Sequence, residues 1–224
     1  EDTLASGQIG ATTWTVTSGN VLTLSYSGSW EDYNRGDDNE WVKCGELDTS
    51  EPLTVVFSEG VEGIPSSFGY VTSRQFQYGK IVLPSTIKSI PANVLNTNTK
   101  SKLPDAIEAP STVFDGTYLY SDSTKTNIVM SLASVTEAII PSGVKTISSL
   151  AFKGLALSKV YIPASVEEIN VSAFKYAVSI DTVELDPENS NGFYFQNDVT
   201  LPDFRSLMNS SGNVVIPVTV PTYT

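Results

Sequence analysis

Histidine is absent from all 224 residues, which removes Ser-His-Asp and Cys-His catalytic arrangements and every zinc site built on imidazole. Cysteine is nearly absent. Cys44 stands alone, so no intramolecular disulfide can form, and the expectation for it is a small buried apolar side chain rather than a reactive thiol. Positive charge is scarce: thirteen Lys and Arg against twenty-five Asp and Glu leave a net charge of −12. That sign repels phosphate backbones and anionic membrane surfaces, so nucleic acid is not an expected partner. No run of about 18 apolar residues occurs, and no membrane insertion is expected. The start, Glu1 and Asp2, has none of the basic character of an export signal, and the expectation is an exported segment without its signal.

What is present is a hydrophobic content of 40%, enough for a sizeable core, and a repeat. Ala138 to Phe152 reads AIIPSGVKTISSLAF and Val160 to Phe174 reads VYIPASVEEINVSAF. Pro141, Val144, Ile147, Ala151 and Phe152 recur 22 residues later as Pro163, Val166, Ile169, Ala173 and Phe174. An earlier copy, IVLPSTIKSIPANVL, keeps Pro84, Ile87, Ile90, Val94 and Leu95. A decayed one, VVFSEGVEGIPSSF, keeps Val61, Ile64 and Phe68 with Ser58 in the proline place. Weaker copies end in Pro110, Asp186 and Pro217.

Each unit has a physical reading. Two apolar residues at i and i+2 make a short strand with both facing inward, and proline ends it because it cannot donate to a ladder. The Val and Ile three and six residues later form a tight arc, and the Ala-Phe pair fills the back of the coil. One unit cannot bury so many apolar groups alone, so neighbours must stack on a shared core. The prediction is a mainly β, right-handed solenoid with short parallel strands in one stack, centred near 55–57, 81–83, 107–109, 138–140, 160–162, 183–185 and 214–216. Two units are stretched to 31 residues between proline places, 110 to 141 and 186 to 217. DGTYLYSDSTKTNIVMSL in the first stretch has the alternation of a hairpin turning at 121–124, and NGFYFQNDVTLPDFRSL in the second resembles it.

These residues resemble the BspA-like leucine-rich repeats of bacterial surface proteins, over about 53–224. The segment from Gly7 to Trp41, containing WTVTSGNVLTLSYSGSWEDY, resembles the leader that such proteins place before the first repeat. It departs from that pattern at Glu40, where the leader usually has proline, and the family's repeat-end cysteine is missing. The expected organisation is a β leader over 1–52, packed on the first repeat, and a leucine-rich-repeat solenoid of about seven irregular units over 53–224. The resemblance implies a non-enzymatic recognition or adhesion module, secreted or on a bacterial cell surface, acting as a monomer without cofactor. Its expected partner is a host protein, a bacterial surface component or a glycan. A structural spacer without its own ligand is the alternative, and a carbohydrate-active enzyme comes last, because no acid pair carries a glycosidase signature.

The outward strand positions discriminate binder from spacer, since a spacer needs only polar residues there. Val56, Val82, Glu108, Ile139, Tyr161, Glu184 and Val215 occupy them, and five of these seven are apolar or aromatic. Tyr161, Ile139, Lys159, Val82, Lys80 and Glu137 are therefore the candidate binding surface, with Tyr161 as anchor because an aromatic body with a polar tip suits interfaces. It could instead be covered by the insert over 115–132. A second candidate is the tripeptide Arg35-Gly36-Asp37 in the polar run EDYNRGDDNE, a weak adhesion loop of integrin-ligand type. The same run offers Asp32, Asn34, Asp37 and Asp38 as oxygen ligands. However, Gly36 sits one place early for an EF-hand and Lys43 occupies the twelfth place, so no metal site is assigned.

Overall fold

Alternating apolar and polar residues produce the first strands: β1 (Thr3–Ile9), β2 (Thr12–Thr17) and β3 (Val21–Ser25) form an antiparallel meander that buries Trp14, Val16, Leu22 and Leu24. The tight turn between β2 and β3 needs two left-handed residues, supplied by Gly19 (φ 83°) and Asn20 (φ 59°). The structure is a computed structural model describing residues 1–92, 102–191 and 193 in full and 214–217 by backbone. It is mainly β, and it divides into two compact units, Glu1–Gly116 and Thr117–Thr224.

In the first unit, β4 (Gly28–Ser29) and helix α1 (Asp38–Lys43) follow the meander. The repeat strands β5 (Leu53–Phe57), β7 (Tyr78–Val82) and β8 (Ala106–Glu108) then add in parallel to β3, giving the order β1-β2-β3-β5-β7-β8. Between β5 and β7 lie β6 (Val61–Gly63), parallel to β4, and the single turn α2 (Thr72–Gln75). The leader is thus continuous with the first repeat through the β3–β5 ladder, where Leu22 stands opposite Val55 and Leu24 opposite Phe57. Trp14, Trp30, Trp41, Tyr33, Phe57 and Phe68 pack as one chain of edge-on and tilted rings. The indole of Trp41 donates to the Thr72 hydroxyl at 2.7 Å.

In the second unit, the insert forms the hairpin β9 (Tyr118–Tyr120) and β10 (Asn127–Ser131). Its far strand continues into a parallel ladder of the repeat arcs, β12 (Thr146–Ile147) and β14 (Glu168–Ile169). The other sheet runs β11 (Glu137–Ile139), β13 (Ala156–Ile162), β15 (Ser179–Leu185), β16 (Val214–Pro217). The repeated residues face inward as the spacing requires. Val144, Ile147, Val166, Ile169, Ala151, Phe152, Ala173 and Phe174 are all buried, and the rings of Phe152 and Phe174 stack at 5.0 Å and 11°.

Three expectations are corrected. The strands fall at the expected places but not in one ladder: β8 and β11 sit at the edges of different sheets, separated in sequence by the inserted hairpin. Strand β16 lies at the expected position but runs antiparallel to β15, with Val215 opposite Glu184. An edge strand is bound on one side only, and antiparallel pairing is slightly the more stable per residue. Cys44 is half-buried at the end of α1, its thiol donating to the Trp41 carbonyl. Of the second insert, 191–207, only Asn191 and Phe193 are described in full, and the positions of Val94 and Leu95 fall outside the described residues.

Candidate functional site

Strand β13 holds the centre of the predicted surface, because Val160 and Ile162 turn into the core and leave Lys159 and Tyr161 on the opposite face. Parallel pairing in register builds two outward rows across three strands. One is Ile139–Tyr161–Glu184 and the other Glu137–Lys159–Thr182. Ile139 is 44% exposed, one of four large apolar side chains so open among the described residues. Tyr161 is half-buried. Its hydroxyl donates to the Asp186 carboxylate at 2.8 Å, and that bond, with some desolvation, holds the phenol above its ordinary pKa. The Lys159 ammonium lies 6.0 Å from the Tyr161 ring centre and 2.6 Å from the Glu184 carboxylate. The inserted hairpin belongs to the ladder with β12 and β14, not to the sheet that carries Tyr161.

Val82 and Lys80 lie in the first unit. Val82 stands between Val56 and Glu108, and Lys80 between Thr54 and Ala106, its ammonium 2.5 Å from Glu108. The structure therefore brings Glu137, Ile139, Lys159 and Tyr161 together on one face and places Lys80 and Val82 on another sheet.

The Arg35-Gly36-Asp37 tripeptide closes on itself. The Asp37 carboxylate accepts from the Asn34 amide at 2.8 Å, the Asn34 side chain accepts from the Gly36 amide at 2.7 Å, and the Arg35 guanidinium lies over the Tyr70 ring at 5.1 Å. Arg74 stacks on the same ring at 3.9 Å and bonds its hydroxyl. Next to the tripeptide, Asp38 is fully buried. It accepts from the Tyr33 hydroxyl at 2.9 Å and the Val71 amide at 3.0 Å; burial raises its pKa while these bonds oppose the rise. The polar run thus has a structural use, fastening α1 to the chain before α2. Among the described residues no group of three or more acidic, cysteine or histidine side chains could hold a metal.

Sequence reasoning missed the role of Asp186. The signal was available: an acid in a proline place, two residues beyond the partner of Tyr161 in the next coil, falls beside that tyrosine's tip. It also missed Lys153, a lysine only 2% exposed behind the repeat, whose pKa burial pulls down to about 8. No sequence signal marks it, since its place after the Ala-Phe pair reads as a turn.

Comparisons with known proteins follow the repeat. Residues 122–204 match the BspA type leucine rich repeat region in six copies. A leucine-rich repeat protein from Eubacterium ventriosum ATCC 27560 aligns over 87% of this chain and 74% of its own, with 16% identity and a TM-score of 0.31. A leucine rich cell surface protein from Faecalibacterium prausnitzii A2-165 aligns over 84% of this chain and 78% of its own, with 13% identity and a TM-score of 0.44. No curated protein matches.

Proposed function

We propose, for a chain whose residues 122–204 are BspA-type leucine-rich repeats, a non-enzymatic recognition or adhesion module that works extracellularly or at a bacterial surface. The repeat type itself suggests surface interaction, without a ligand. The observation that carries the reading is the Ile139–Tyr161 pair. An apolar side chain 44% exposed sits in register beside a tyrosine, on strands β11 and β13 whose opposite side chains, Ala138, Val160 and Ile162, are buried. Exposed apolar groups ordered around an aromatic are where interface energy concentrates. The ligand is a host protein, a bacterial surface component or a glycan, bound by a monomer without cofactor. No helix among the described residues is long and apolar enough to cross a membrane.

A spacer role has one observation in its favour: on the first unit's sheet the outward Lys80 and Glu108 satisfy each other, as on an ordinary solvated face. The experiment is a glycan and host-protein array probed with the whole chain, followed by single variants against each ligand found. Tyr161→Ala is expected to weaken attachment by at least about 1 kcal/mol with the fold intact, and Asp37→Ala to change it little. The reverse result would move the site to the leader loop. A chain that captures nothing would favour the spacer.

A further inference from the structure

The outward face of the second unit is asymmetric in charge, and the asymmetry specifies a kind of partner. Among the described residues Glu137, Glu184 and Asp186 border it, against one cation, Lys159. Lys159 stands in register between Glu137 and Thr182, yet its ion pair is with Glu184. Asp186 is occupied as well, accepting the Tyr161 hydroxyl with one oxygen and the Glu188 amide with the other. Glu137 is exposed and has neither ion pair nor hydrogen bond among the described residues. Two residues along the same strand and on the same face stands Ile139, the exposed aliphatic. A bare carboxylate and a bare apolar group therefore lie about 7 Å apart along one strand direction.

We propose that this face takes an extended basic peptide segment, with a Lys or Arg side chain on Glu137 and an apolar side chain two residues away on Ile139 and Tyr161. The spacing is the argument, since alternate residues of an extended chain repeat at the same interval as alternate residues of the strand beneath. Charge supports it. The chain carries −12 overall, so a cationic segment is steered toward the protein, while an acidic glycan or peptide is repelled. A neutral glycan could stack on Tyr161 but leaves Glu137 without a counter-charge.

The inference rests on the reading of this face as the binding surface, and the test separates the two. The probe is a fluorescein-labelled, amidated octapeptide, Thr-Lys-Thr-Val-Thr-Lys-Thr-Val, titrated with the full chain and followed by anisotropy; its counterpart carries Glu for Lys. Binding of the lysine peptide is expected at least tenfold tighter than the glutamate one, weakening as salt is raised. Glu137→Gln should weaken it about threefold, and Ile139→Ser similarly. Glu167→Gln, which removes the same charge from a residue paired with Lys145, should leave it unchanged. Lys159→Ala, by releasing Glu184, should strengthen it. Equal binding of both peptides, or equal effects of Glu137→Gln and Glu167→Gln, would overturn the proposal. If an array ligand is lost with Tyr161→Ala but resists Glu137→Gln and the lysine peptide, the basic-peptide assignment falls and the face stands. If Tyr161→Ala also leaves that ligand bound, the face itself is refuted.

Discussion

The hydroxyl of Ser165 accepts a hydrogen bond from the amide of Gly143, in the preceding coil, at 3.0 Å and donates to the neighbouring Val144 carbonyl at 2.8 Å. The same clasp joins an earlier pair of coils: Thr86 accepts from Gly60 at 3.0 Å and donates to Val61 at 2.7 Å. In both, the glycine is left-handed, φ 95° at Gly143 and 101° at Gly60, and its position matches that of the hydroxyl residue one coil on. The turn after each strand is thereby tied to the next by two backbone groups that would otherwise go unpaired. In the coil after Ser165, Asn189 takes over, donating to the Pro163 and Val166 carbonyls.

Removing a clasp should therefore cost more than its exposure suggests. Ser165→Ala is expected to destabilise by about 1 to 2 kcal/mol, since Gly143 loses its acceptor. Gly143→Ala should also destabilise, because its backbone is left-handed. Urea midpoints followed by far-UV circular dichroism provide the check, and an unmoved midpoint for Ser165→Ala would refute the clasp.

Phe152 and Phe174 fill equivalent places at the back of successive coils and stack on each other. Either truncation to Ala should cost about 3 to 5 kcal/mol. Because the rings touch, the double variant should lose less than the sum of the single losses, with the two cavities free to collapse together. Strict additivity in denaturant melts would place the rings in separate environments.

All three tryptophans lie in one cluster of the first unit, so intrinsic tryptophan fluorescence reports that unit. Asp38→Ala should shift its unfolding transition by about 3 kcal/mol, leaving the half-buried Val71 amide and the buried Thr72 amide without this acceptor and the Tyr33 hydroxyl with only its longer bond to the Ser67 carbonyl. Asp37→Ala, at a half-buried turn, should shift it by about 1 kcal/mol or less. A larger effect at Asp37 would contradict the assignment of Asp38 as the fastening residue.

Stability should rise with pH in the weakly alkaline range. Lys153 binds its proton with a pKa of about 8 when folded and near its ordinary 10.5 when unfolded. Between these values the unfolded chain holds more protons, so unfolding free energy increases with pH, by up to about 3 kcal/mol. Above about pH 10 the sign reverses. Burial holds Tyr26, Tyr33 and Tyr78 protonated in the folded chain while unfolded tyrosines ionise, and stability falls. Lys153→Met should abolish the rise. Urea melts from pH 7 to 11 would show a flat wild-type profile if the lysine were solvated.

The sequence by itself determined the repeat, the strand positions, the inward set and the outward rows. These follow from side-chain period: proline stops a strand, β-branched residues alternate with polar ones, and a 22-residue offset between identical side chains leaves no other register for Val160 and Ile162. It also held the hairpin at 118–131, since alternation on both sides of a polar turn is a local signal. Tertiary structure decided what depends on partners distant in sequence. That the hairpin separates β8 from β11 into different ladders is a matter of hydrogen-bond partners, and β16 pairs in the opposite sense because an edge strand accepts either polarity. Lys159 turned to Glu184 rather than to Glu137, leaving one carboxylate bare, and no spacing in the sequence distinguishes the two. The polar run around Arg35 carries no apolar residue to mark it, so only the folded chain revealed that Asp38 is buried there as an acceptor for amides more than thirty residues away.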